Sequence, residues 1–132
     1  MALGYLGTAS GRGAFSAGMN CKSTGAAAIS VGGDSKAEGI YSVAIGNGND
    51  ALAANTVSMG TYNTVSHTES YAFGKNLTST EQNQILLGRW NKIPATSSFP
   101  YRFIFGDSVS STSTNLMTLQ SNGNLSIKGS LT

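Results

Sequence analysis

The chain has 132 residues, and its 8 Lys and Arg stand against 6 Asp and Glu. The formal charge is therefore only +2, charged residues make up 11% of the chain, and a nucleic-acid partner is excluded for want of a basic patch. Apolar residues reach 39%, a thin supply for a self-sufficient core, and the single Cys21 excludes both an intrachain disulfide framework and a cysteine-built metal site; oligomerisation is the remaining way to stabilise so lean a chain.

The first residues, MALGYLGTASGRG, lack the basic and apolar regions of a secretion signal, and no stretch approaches the length of a membrane span. No membrane insertion is expected. From Met1 onward the chain repeats. Glycine recurs at Gly4, Gly18, Gly32, Gly46, Gly60, Gly74 and Gly88, seven positions at a constant spacing of 14. The flanking residues keep the register. Three before each glycine (slot −3) stand Met1, Phe15, Ile29, Val43, Val57, Tyr71 and Ile85. At −1 stand Leu3, Ala17, Val31, Ile45, Met59, Phe73 and Leu87, and the residues between, at −2, are nearly all small. Small residues also fill slot +5, and slot +7 holds Gly11, Gly25 and Gly39, then Ala53, His67 and Glu81.

Apolar–small–apolar–Gly is the alternation of a short strand, and the glycine is expected to end it at a turn with positive φ. A second short strand is expected around +5 and a second turn near +7. One unit is then one coil of a parallel β-roll, and about six to seven coils stacked at about 4.8 Å per rung make a rod of roughly 30 Å. The large residues at −3 and −1 are expected inside the coil. The small ones, Ala44, Ser58 and Ala72 among them, are expected on the outside, packed against a neighbouring chain.

Beyond residue 91 the pattern changes. Pro94 and Pro100 are expected to break the ladder. YRFIFG, beginning at Tyr101, predicts a strand. NLMTLQSNGNLSIKGSLT predicts a hairpin in which Met117 and Leu119 alternate, Asn122 and Gly123 turn, and Leu125 and Ile127 alternate back. The expected organisation is a roll over residues 1–91 and a small β-rich cap over 92–132.

The repeat, as Ser42-Val43-Ala44-Ile45-Gly46 and as Ile29-Ser30-Val31-Gly32 through Ser35, Ala37 and Gly39, resembles the head repeat of YadA-like trimeric autotransporter adhesins, S-V-A-x-G-x-x-S-x-A-x-G-x-x-A. The resemblance implies a left-handed parallel β-roll, homotrimeric, displayed on a surface and used for attachment, with no catalytic residues. The replacement of the second glycine by Ala53, His67 and Glu81 departs from it. The C-terminal segment resembles parts of phage and prophage tail-fibre and baseplate proteins.

Catalysis finds little support. His67 is the only histidine and occupies a turn slot; a hexapeptide-repeat acyltransferase would have a six-residue period. Cys21 has no paired base and fills a slot otherwise held by turn residues. Asp34, Glu38, Asp50, Glu69, Glu81 and Asp107 form no paired-carboxylate or calcium-repeat pattern, and the +4 slot (Thr8, Lys22, Lys36, Asp50, Thr64, Thr78) is no threonine array of the ice-binding kind. Arg89, Trp90, Tyr101 and Arg102 are the residues expected either to cap the open end of the roll or to contact a host glycan or protein. The expectation is a non-enzymatic homotrimeric fibre module without metal or cofactor. It would serve extension and attachment in a phage tail fibre, baseplate or related particle, alongside other particle proteins. The head of a bacterial surface adhesin is the alternative, and a solenoid enzyme the remote one.

Overall fold

A computed structural model describes residues 1–91, 101–107 and 115–128. The described residues form strands and no helix. In chain order the strands are β1 (Ala2–Leu3), β2 (Thr8–Ala9), β3 (Phe15–Met19), β4 (Lys22–Ser23), β5 (Ile29–Gly33), β6 (Lys36–Ala37), β7 (Val43–Asn47), β8 (Asp50–Ala51), β9 (Val57–Thr61), β10 (Thr64–Val65), β11 (Tyr71–Lys75), β12 (Ile85–Arg89), β13 (Tyr101–Asp107), β14 (Asn115–Gln120) and β15 (Leu125–Ile127). Odd-numbered strands from β1 to β11, then β12 to β15, make one ten-stranded sheet; β2, β4, β6, β8 and β10 make a five-stranded one. The chain is thus a β-solenoid with coils of 14 residues. The sequence period reappears as pairing register, for Gly18 lies beside Gly32, Gly32 beside Gly46 and Gly46 beside Gly60.

The marker glycine does not end its strand. Each five-residue strand runs one residue past it, as β7 does from Gly46 to Asn47. Glycine is required there by stacking as well as by φ. Gly46 has φ +122°, and a Cβ on it would lie 2.0 Å from the carbonyl oxygen of Gly60. The turns come later, at two left-handed positions seven residues apart. At +2 these are Leu6, Asn20, Asp34, Gly48, Tyr62, Asn76 and Trp90; at +9 they are Gly13, Ala27, Tyr41, Asn55, Glu69 and Asn83. The second turn therefore sits two residues beyond the expected slot. Loss of the +7 glycine leaves it intact, since the Asn55, Glu69 and Asn83 amides still donate to the carbonyls of Ile40, Ala54 and Thr68 on the preceding coil.

The expected facing is reversed. Ala44, Ser58 and Ala72 are fully buried within their own coil, as are Ser16, Ser30, Leu86 and Ile104 in the same slot, and the +5 residues Ser23, Ala37, Ala51 and Val65. They present no surface to a neighbouring chain. The cause is the thinness of the coil. Ser23 Oγ on the short sheet donates to the carbonyl of Phe15 on the long sheet at 2.7 Å, so one small side chain spans the interior. In the early coils nothing the size of Phe15 or Ile45 fits there; Leu77, Leu86 and Ile104 enter only where the coil widens toward the C-terminus.

The interior is lined from slots −4, −2, +3 and +5. In the middle coils Asn49 and Asn63 form a ladder. Asn49 Nδ2 donates to the carbonyls of Ile45 (2.8 Å) and Gly60 (2.7 Å), and its Oδ1 accepts the Asn63 amide at 3.1 Å. Asn63 repeats the set with Met59, Gly74 and the Leu77 amide. Among the described residues no buried side-chain nitrogen or oxygen lacks a partner, as a polar interior requires. One apolar cluster is all alanine (Ala28, Ala37, Ala44, Ala51); toward the C-terminus the coil widens to hold Val65, Ala72, Leu77, Leu86 and Ile104.

The parallel ladder continues past residue 91. β13 pairs with β12 in the old register, with Leu86 beside Ile104 and Gly88 beside Gly106. The coil lengthens to 18 residues at this point, and Pro94 and Pro100, expected to end the ladder, lie in the inserted stretch outside the described residues. The long sheet therefore crosses the expected domain boundary without a break. The predicted hairpin is present, with Met117 opposite Ile127 and Leu119 opposite Leu125. Its turn has three residues. The Gly123 amide donates to Gln120 O at 3.0 Å, and Gly123 takes the left-handed position at φ +87° that follows such a turn.

Candidate functional site

With small residues inside, the large apolar ones are left outside. The outer face of the long sheet carries Phe15, Ile29, Val43, Val57, Tyr71, Ile85 and Phe103 in one row. Leu3, Ala17, Val31, Ile45, Met59, Phe73, Leu87 and Phe105 form a second, and every one is half-buried or exposed. The hairpin extends both rows through Met117, Leu119, Leu125 and Ile127, since each pairs directly with, or next to, an outward Phe. At about 4.8 Å per strand and about 3.3 Å per residue the face is about 40 Å long and about 15 Å wide, on the order of 600 Å². That matches the largest apolar patch of ordinary monomers and approaches the roughly 800 Å² each partner gives to a standard interface.

The opposite outer face is polar. On the short sheet Lys22 Nζ is 2.8 Å from Glu38 Oε1, and Lys36 Nζ is 3.4 Å from Asp50 Oδ1, with Thr8 and Thr64 in the same column. Exposed pairs of this kind add little stability, but they mark a face that meets water. The rod is amphipathic across its thickness.

The four residues expected to cluster at the end of the roll are divided. Arg89 ends β12, where it lies beside Asp107, and Trp90 follows it. Trp90 is half-buried at φ +47°, and its amide continues the rung bonds by donating to Lys75 O at 3.0 Å. Tyr101 and Arg102 begin β13, at the other end of the same pair of strands, about 16 Å away by strand geometry. Arg102 Nη1 donates to Gln82 O at 2.6 Å and lines a cleft with His67, Thr80, Glu81 and Asn83.

His67 is half-buried, its Nδ1 3.2 Å from both Ser66 Oγ and Ser79 Oγ, and among the described residues no carboxylate hydrogen-bonds it. Cys21 is not a turn residue. Its slot points inward, it is fully buried, and Sγ lies 3.7 Å from Met19 O. Asp34 Oδ1 accepts from the side-chain Nδ2 of Asn20 at 2.7 Å across one rung. Among the described residues no three His, Cys, Asp or Glu side chains gather as metal ligands, and no helix is long and apolar enough to cross a membrane.

Two features escaped the sequence reading. The outward apolar face was missed because period-2 alternation has two phases, and the larger residues were assigned to the core. The polar slot +3 (Cys21, Ser35, Asn49, Asn63) held the correcting signal, for residues with side chains that bond the backbone suit a narrow interior. The extra coil was missed because Phe103-Ile104-Phe105-Gly106 repeats the strand motif at a spacing of 18. No family model matches the chain, and a search of characterised proteins gives no match either.

Proposed function

We propose that the chain is a non-enzymatic module of a homotrimeric surface fibre, in a phage tail fibre, baseplate or related particle, serving extension and attachment. The observation that carries this is the apolar outer face of the long sheet set against the ion-paired face of the short one. A rod with that asymmetry is stabilised when sister chains cover the apolar side and leave the polar side in water. The number three, and a left-handed coil, follow from the resemblance of the glycine repeat to trimeric adhesin heads. In such a trimer β13 to β15 serve as the cap, closing the rod with a hairpin whose outward residues prolong the same face. The repeat Ser42 to Gly46 equally favours the head of a bacterial surface adhesin, and labelled protein separates the two: retention on bacterial cells supports the particle, retention on animal cells the adhesin.

The assembly is tested at Met59, in the middle of the face. Met59→Glu is expected to keep the β-sheet circular dichroism of the wild type while light scattering reports a mass about one third as large. A variant that keeps the wild-type mass would remove this face from the interface.

A further inference from the structure

We infer that the coil edge around Asn83 is a binding site for a neutral oligosaccharide. Two clefts meet at this residue. One, of about 490 Å³, is lined by Asn55, Glu69, Tyr71, Asn83 and Ile85; the other, of about 400 Å³, by His67, Thr80, Glu81, Gln82, Asn83 and Arg102. Asn55, Glu69 and Asn83 occupy the +9 turn of three successive coils, so their side chains leave the edge at intervals of about 4.8 Å. The result is a comb of amide and carboxylate groups with the Tyr71 ring beside it and Arg102 at its end. A saccharide presents hydroxyls that both donate and accept, over apolar C–H faces. The comb supplies acceptors on Glu69 and Glu81, donors on Asn55, Asn83 and Arg102, and an aromatic ring. Two carboxylates against one guanidinium disfavour an acidic sugar, so the proposal is for a neutral one. A third hollow, of about 550 Å³ and lined mainly by Phe103, Met117, Leu119 and Leu125, adjoins the clefts at Asn83 and Ile85. It belongs to the apolar face given above to sister chains; Tyr71 and Ile85 are in the row of that face nearest Asn83, so the clefts border the face and share those two residues with it, while Asn55, Glu69 and Asn83 stand outside it.

The site rests on the attachment part of the proposed function for its use, but the test does not depend on the assembly. Glycine can replace Asn83 or Glu69 without backbone strain, because both stand at left-handed φ, +58° and +56°. Asn83→Gly and Glu69→Gly therefore delete side chains while keeping the coil. Saturation-transfer NMR is recorded on the full chain with trisaccharides of glucose, of galactose and of N-acetylglucosamine, each at about 10 mM, and sedimentation is measured on the same samples. The expected result is transfer to at least one probe, with binding weakened about tenfold or more in each variant at unchanged melting temperature. No transfer to any of the three, or weakening of less than about tenfold, overturns the site. A trimer that ignores all three sugars removes this inference alone; a monomer that binds one removes the assembly alone.

Discussion

Single atoms decide most at the glycines. The Cβ of Gly46→Ala would sit 2.0 Å from the Gly60 oxygen at a φ of +122°, so two coils must separate or the strand must bend. The expected loss is about 3 kcal/mol or more in urea denaturation. Gly13→Ala is the control. Its new Cβ meets nothing nearer than an atom at 4.0 Å, and only the left-handed φ of +72° remains, a cost of about 1 kcal/mol. Asn63→Ala breaks the interior ladder and leaves the Met59 and Gly74 carbonyls and the Leu77 amide without that partner. A destabilisation of about 3 kcal/mol is expected, measured the same way. The need for glycine at these positions was legible in the seven-fold recurrence. The reason for it was not, since contact between successive coils is invisible in a linear chain.

Within one strand, neighbouring residues have opposite fates. Ala44 is sealed inside the coil and Ile45 stands on the outer face. Ala44→Lys is therefore expected to unfold the coil, at about 4 kcal/mol or more, by forcing a charge and four methylenes into a space one alanine wide. Ile45→Lys is expected to fold with β-sheet circular dichroism and to lose the assembly only. Equal damage from the two would contradict the facing. The strands themselves were legible, because apolar–small–apolar–Gly marks them coil after coil. So was the hairpin at Asn122-Gly123, because a short turn is specified by its own residues. Which face of each strand turns inward depends on how close the two sheets lie, and that follows from tertiary packing. The prolines misled for a similar reason. Pro94 and Pro100 lie outside the described residues, and after them β13 resumes the register with Phe103 beside Ile85.

The whole molecule is a thin ladder with a polar lining and an apolar exterior on one side. Its interior is stabilised by hydrogen bonds and close coil-to-coil contact more than by apolar bulk. Most of its large apolar side chains are held in reserve on the long sheet, where burial is worth about 25 cal/mol per Å². The lean composition was read from the start as a need for partners, and Ala44, Ser58 and Ala72, the residues first expected to meet them, are sealed inside the coil. The placement of Arg89, Trp90, Tyr101 and Arg102 was the least legible part. Arg102 finds its neighbours across three coils, and Arg89 and Trp90 stand at the far end of the strands. Sedimentation equilibrium of the full chain at micromolar concentration tests the central claim most directly. A single species at three times the chain mass of 13.5 kDa is the expected result, and a folded species at 13.5 kDa itself would contradict it.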